Sequence, residues 1–127
     1  MNSLNLKPDI QELYKLNEFI YNNIQVNNFQ LDLIVEEIFV NIVNYSNADD
    51  IKVNLEFNEK DSIVYLEFVD NGIQFNPIKQ KEYKPPSDID SASIGGRGIS
   101  LVKKYADVMD YTYFDNKNHL KITKIVK

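Results

Sequence analysis

Two hydrophobic periods alternate along this chain, and their order restricts the fold more than any single motif does. From Asp9 to about Val26, apolar residues fall at Ile10, Leu13, Tyr14, Leu16, Phe19, Ile20 and Ile24, the spacing of an amphipathic helix with Pro8-Asp9 as its start. A second helical run extends from about Leu31 to Tyr45. The period then drops to two: "IKVNLEF" (51–57) and "SIVYLEFV" (62–69) read as strands joined across "NEKD". A polar stretch from Asp70 to Gly96 follows, with Pro77, Pro85 and Pro86, and is long for a connection inside a small domain. A third helix is predicted from about Gly98 to Met109, then a closing hairpin of "YTYF" (111–114) and "LKITKIV" (120–126) across "DNKN". The N-terminal "SLNL" adds an edge strand. Helix, helix, hairpin, loop, helix, hairpin lacks the regular strand–helix alternation of a doubly wound fold. It predicts an α+β two-layer sandwich, with a mixed, mainly antiparallel sheet and the helices packed on one face.

With 127 residues, 43% of them hydrophobic, the chain supports one domain (1–127) with a real core. No apolar run reaches the roughly 20 residues that span a bilayer, and "MNSLNLKPDI" has neither a basic leader nor a small-residue cleavage site, so a cytoplasmic protein is expected. The absence of cysteine excludes disulfides and thiolate metal sites, and the single histidine, His119, excludes most histidine-based clusters. A net charge of −5 argues against a surface built to hold nucleic-acid phosphates.

Three short segments carry candidate chemistry. In "LDLIVEEIFVNIVNY", the helical angle of about 100° per residue puts Glu37, Asn41 and Asn44 within roughly 60° of one another. Leu31, Ile34, Val35, Ile38, Ile42 and Tyr45 form a core stripe elsewhere on that helix. The polar line is either a wet helix side or a site, in which an asparagine oxygen suits Mg²⁺ and a carboxylate one turn earlier suits proton abstraction. In "VYLEFVDNGIQFNP", a hydrophobic strand runs straight into Asp70-Asn71-Gly72. That is ordinary turn chemistry, or else a carboxylate facing a pocket where it accepts from an adenine amino group, with Gly72 letting a planar base approach the backbone. In "GGRGISLVKKYAD", three of the chain's four glycines stand before an amphipathic run. They form either a flexible entry to a helix or a loop cradling a phosphate at its N-terminus.

Taken together and in this order, "EEIFVN", "DNGIQFNP" and "GGRGISLV" resemble the asparagine box and the two glycine boxes of the GHKL ATPases, the superfamily of DNA gyrase and the histidine kinases. Within it they resemble the small bacterial anti-sigma-factor serine/threonine-protein kinases, and "GISLVKKYADVMDY" and "NHLKITK" extend the likeness over nearly the whole chain. The resemblance implies the Bergerat ATP-binding fold, with Glu37 as general base and Asn41 as Mg²⁺ ligand. It implies Asp70 as the reader of the adenine amino group with Gly72 beside it, and Gly96 and Gly98 near the phosphates. The 79–95 segment then corresponds to the ATP lid, and Lys79, Lys81, Lys84 and Arg97 are candidates to approach the phosphates. A histidine kinase needs a phospho-accepting histidine on a dimerising helix, whereas His119 falls in a strand-like segment. A domain acting on a partner in trans is therefore expected: a kinase of an antagonist protein in a partner-switching system, leaving this chain free to sequester a sigma factor. The resemblance also suggests a homodimer, and no contact with nucleic acid or membrane is expected. The alternatives are a non-catalytic ATP-binding module that switches protein partners, or an association domain without ATP.

Overall fold

The computed structural model describes residues 1–77 and 94–127, with residues 94–99 described by backbone alone. Strands β1 (Asn2–Leu6), β2 (Ile51–Asn58), β3 (Ile63–Asp70), β4 (Val108–Phe114) and β5 (Lys117–Ile125) form one sheet in the order β1-β2-β3-β5-β4. Among the described residues every neighbouring pair is antiparallel, as a mainly antiparallel sheet requires. Helices α1 (Leu13–Ile24), α2 (Phe29–Asn41) and α3 (Ile94–Tyr105) complete the α+β sandwich.

Alternation along the strands decides the faces. Ile51, Val53 and Leu55 of β2, Val64, Leu66 and Phe68 of β3, and Leu120 and Ile122 of β5 are buried in one core. Leu16, Ile20 and Ile24 of α1, Ile34, Ile38 and Phe39 of α2, and Val102 of α3 pack into the same core. The opposite sheet face carries exposed Tyr65, Val108, Phe114 and Ile125. No helix among the described residues is long and apolar enough to cross a membrane.

Several boundaries depart from the sequence pattern for local reasons. The first helix is a 3₁₀ turn at Ile10–Glu12 capped by Asp9, which accepts from the Gln11 N–H, followed by α1. Gln25, in the left-handed region at φ 53°, stops it. The Asn28 side chain starts α2 by accepting from the Leu31 N–H at 2.8 Å. The second helix does not run as α-helix to Tyr45: after Asn41 it widens into a π-helical turn, Ile42–Ser46. Asn44 and Tyr45 are both exposed there, so Tyr45 does not join the core stripe expected of it.

The third helix starts at Ile94 rather than Gly98 and ends at Tyr105 rather than Met109. Gly95, Gly96 and Gly98 therefore lie inside its first turns; each glycine costs a helix about 1 kcal/mol relative to alanine but does not forbid it. The closing hairpin is longer than expected: its turn is only Asp115–Asn116, at φ 55° and 59°, which extends β5 back to Lys117, and the earlier end of α3 lets β4 start at Val108.

One polar group stands in the inward phase of β5 far from the turn. Lys124 is buried, and its Nζ donates to the Tyr105 carbonyl at 2.8 Å and to Gln30 Oε1 at 2.6 Å. A single ammonium thus caps the C-terminus of α3 and ties it to the start of α2, where a positive charge opposes the negative helix end. Lys124→Met keeps the stem and removes the donors. We expect a stability loss of about 1–3 kcal/mol by chemical denaturation, while Lys121→Met on the exposed face changes it by less than about 0.5 kcal/mol.

Candidate functional site

A cleft of about 430 Å³, counted with its space open to solvent, lies between α2 with its π-helical turn, the ends of β3, β4 and β5, and the segment after β3. Ile38, Ile42, Leu120, Phe75 and Pro77 give it apolar walls, and Tyr45 and Tyr111 add aromatic ones. The polar lining comes from Asn41, Ser46, Asp70 and Asn118. An apolar slot with a few convergent polar groups is the usual form of a small-ligand site.

Asp70 ends β3 on the inward phase, with Ile51 and Asn118 opposite it on the two flanking strands, and is only 5% exposed. Its Oδ1 accepts from the Gly72 N–H at 2.9 Å and from Asn118 Nδ2 at 3.0 Å. Burial raises the carboxyl above its ordinary pKa, while the Asn118 and Gly72 donors and the nearby His119 draw it partly back.

Gly72 is required for space. A Cβ built there would stand 2.2 Å from the Ser46 carbonyl oxygen, and the adjoining Ile73 N–H donates to that same oxygen at 2.8 Å. The π-helical turn presents this carbonyl, since Ser46 is pulled back by its Oγ donating to the Ile42 carbonyl at 2.8 Å. π-Helical turns occur disproportionately at functional sites, and this one joins Asn41 directly to the floor of the turn that carries Asp70. Gly72 thus admits the protein's own backbone, in addition to any ligand expected beside it.

Asn41 lines the cleft at 8% exposure, and Glu37, half-buried, lies one helical turn before it on α2. Burial raises the Glu37 carboxyl above its ordinary value, and the charge of Glu36 adds to the shift. Glu36 itself is exposed and lines, with Asp32, a separate groove between α1 and α2. Gly96 and Gly98 lie in the first turns of α3, whose leading N–H groups have no intrahelical partner. The Arg97 side chain, Lys79, Lys81, Lys84 and the 79–93 part of the expected lid lie outside the described residues.

Asn118, Tyr111, Ser46 and Phe75 are cleft residues that the motifs did not flag. A signal for Asn118 was present: in "NHLKITK" it shares the inward phase with Leu120 and Ile122. His119 takes the outward phase, stacked on Phe114 at 4.0 Å between ring centroids, with Nδ1 3.3 Å from Glu67 Oε2 and Nε2 buried without a partner among the described residues. No group of three or more His, Cys, Asp or Glu suited to a metal occurs among the described residues.

Residues 16–124 match the family model of the histidine kinase-like ATPase domain. The chain belongs to that family. It is also similar to the serine/threonine-protein kinase BtrW of Bordetella bronchiseptica, 27% identical over 97 residues that cover 75% of this chain and 68% of the relative. The resemblance drawn from the three sequence boxes is thereby borne out, and the chain is an ATP-binding, kinase-like module.

Two outcomes follow from this geometry. Gly72→Ala forces the Ser46 carbonyl away and weakens its bond from Ile73; we expect a loss of about 2 kcal/mol or more, seen as a melting temperature lower by roughly 5–10 °C. For Asp70→Asn the sign follows from a folded-state pKa raised above the unfolded one. Folded Asp70 retains its proton to higher pH, so its contribution to stability is present below the unfolded carboxyl's pKa and is lost as pH rises toward the folded one. The stability of the asparagine variant relative to wild type should therefore grow through that window and then level off, measured by denaturant titrations at several pH values.

Proposed function

We propose that this chain is an ATP-dependent serine/threonine-protein kinase of anti-sigma-factor type that phosphorylates an antagonist protein in a partner-switching system. One observation carries the reading: Asn41 and Asp70 share a single apolar cleft, with Glu37 one turn from Asn41, in a chain similar to a serine/threonine-protein kinase.

The adenine base enters between the apolar walls, and its amino group donates to Asp70. A 6-oxo purine places an acceptor there and is rejected. The phosphates extend toward the first turn of α3, where free backbone N–H groups and the helix dipole favour negative charge and Gly96 and Gly98 leave the backbone uncovered.

The donor set fits Mg²⁺, which takes few protein ligands and completes its shell with water and phosphate oxygens: Asn41 offers one hard amide oxygen in the cleft. Bound there, the ion would neutralise charge on the phosphate oxygens. Glu37 takes the proton from the acceptor hydroxyl as its oxygen bonds to the γ-phosphorus and ADP departs. A base whose pKa is raised toward neutrality suits that task better than an ordinary glutamate.

Intact-mass analysis of a candidate antagonist protein incubated with this chain and Mg-ATP tests the proposal. We expect the mass of one phosphoryl group to be added by wild type and the rate to fall about 100-fold or more with Glu37→Ala. The rate should drop as pH falls through the raised Glu37 pKa, and Glu36→Gln should move that limb to lower pH by removing the neighbouring charge. Confirmed ATP binding with an unmodified antagonist would instead indicate a nucleotide-gated switch without phosphoryl transfer.

A further inference from the structure

Asn118 uses all four hydrogen-bonding positions of its side-chain amide on the protein. Nδ2 donates to Asp70 Oδ1 at 3.0 Å and to the Ile73 carbonyl at 2.8 Å; Oδ1 accepts from the Phe75 N–H at 3.0 Å and from the Tyr111 hydroxyl. The orientation of the amide follows from its neighbours, because a backbone carbonyl can only accept and a backbone N–H can only donate. The side chain is 5% exposed, so a ligand finds no unused amide position on it.

We propose that Asn118 is the positioning residue for purine selection: it locks one oxygen of Asp70, reserves the other for the base, and fixes Ile73 and Phe75 beside it. This rests on the reading of Asp70 as the contact to the base amino group, and deepens it. A protonated Asp70 offers a donor to a 6-oxo purine as readily as an acceptor to a 6-amino purine, whereas the ionised carboxylate can only accept. Asn118 opposes protonation and restrains rotation, since its Nδ2 occupies Oδ1 and favours the ionised form against the burial that raises the carboxyl.

Two variants distinguish positioning from simple structural support. Asn118→Ala removes the donor. Asn118→Asp keeps the size and places a second carboxyl against Asp70, so that the two share one proton at intermediate pH and repel when both ionise. Two other titratable groups act on this carboxyl: His119 from β5, which favours its ionised form, and Tyr111 from β4, whose phenol burial keeps protonated. Both are present in wild type and in either variant, so a difference between the proteins does not come from them alone.

The experiment is calorimetric affinity for ATP and for ITP, which differ at the purine 6-position (amino against oxo), from pH 5.5 to 9. In wild type the ATP preference rises with pH and then holds. In Asn118→Asp we expect the rise to shift furthest to higher pH, so that near neutral pH the preference is at least tenfold smaller than in wild type, through weaker ATP binding with ITP retained. In Asn118→Ala the rise shifts to higher pH. Equal loss of ATP and ITP, or an Asn118→Asp profile that parallels wild type, overturns the positioning role and leaves Asp70 as the reader. Wild type that binds both nucleotides alike overturns the reading of Asp70 itself, and this inference with it.

Discussion

A carboxylate buried at the end of a central strand organises this molecule. Asp70 is withdrawn from water between β2 and β5, and an isolated charge there is expensive. The structure meets that cost with a backbone N–H from the turn and an amide N–H from β5. Each donor imposes a further requirement. The turn that supplies Gly72 must close on Ser46, which needs a residue without a side chain and a carbonyl aimed by the π-helical turn. The amide from Asn118 needs partners for its other three positions, and those partners fix the walls of the cleft.

The two ends of the sandwich are held by different means. At the cleft, polar groups converge and leave room for a ligand. At the far end, Lys124 closes the C-terminus of α3 on the start of α2. Both clamps come from β5, on residues six positions apart in the same inward phase. The strand therefore sets the spacing of the helix that carries the glycines relative to the helix that carries Glu37 and Asn41.

Much of this was legible in the chain. Strong period-two patterning specified β2 and β3 nearly to the residue, and an i, i+3, i+4 apolar stripe specified α1. Glu37, Asn41, Asp70 and Gly72 were visible because their boxes are contiguous and ordered. What escaped notice depends on tertiary geometry. Asn118 fell in the expected "DNKN" turn and Lys124 in the closing strand, and only the pairing of β5 with β3 places both inside. The π-helical turn has no composition signature, so an even 3.6 period carried Tyr45 into a core stripe that it does not join. The glycines near residue 96 suggested a later start for α3, since local propensity alone disfavours them in a helix.

The strand order has a kinetic meaning as well. β3 pairs with β5, so Asp70 and its partner Asn118 are brought together across 48 positions of chain, and the contact forms only after a large loop has closed. Local hairpins β2–β3 and β4–β5 can assemble early, each with its own half of the cleft, but neither half alone provides the site. Competence to bind is therefore acquired at the seam between two hairpins. Any ligand held there draws the population toward chains in which that seam has closed, acting on maturation as well as on the finished protein.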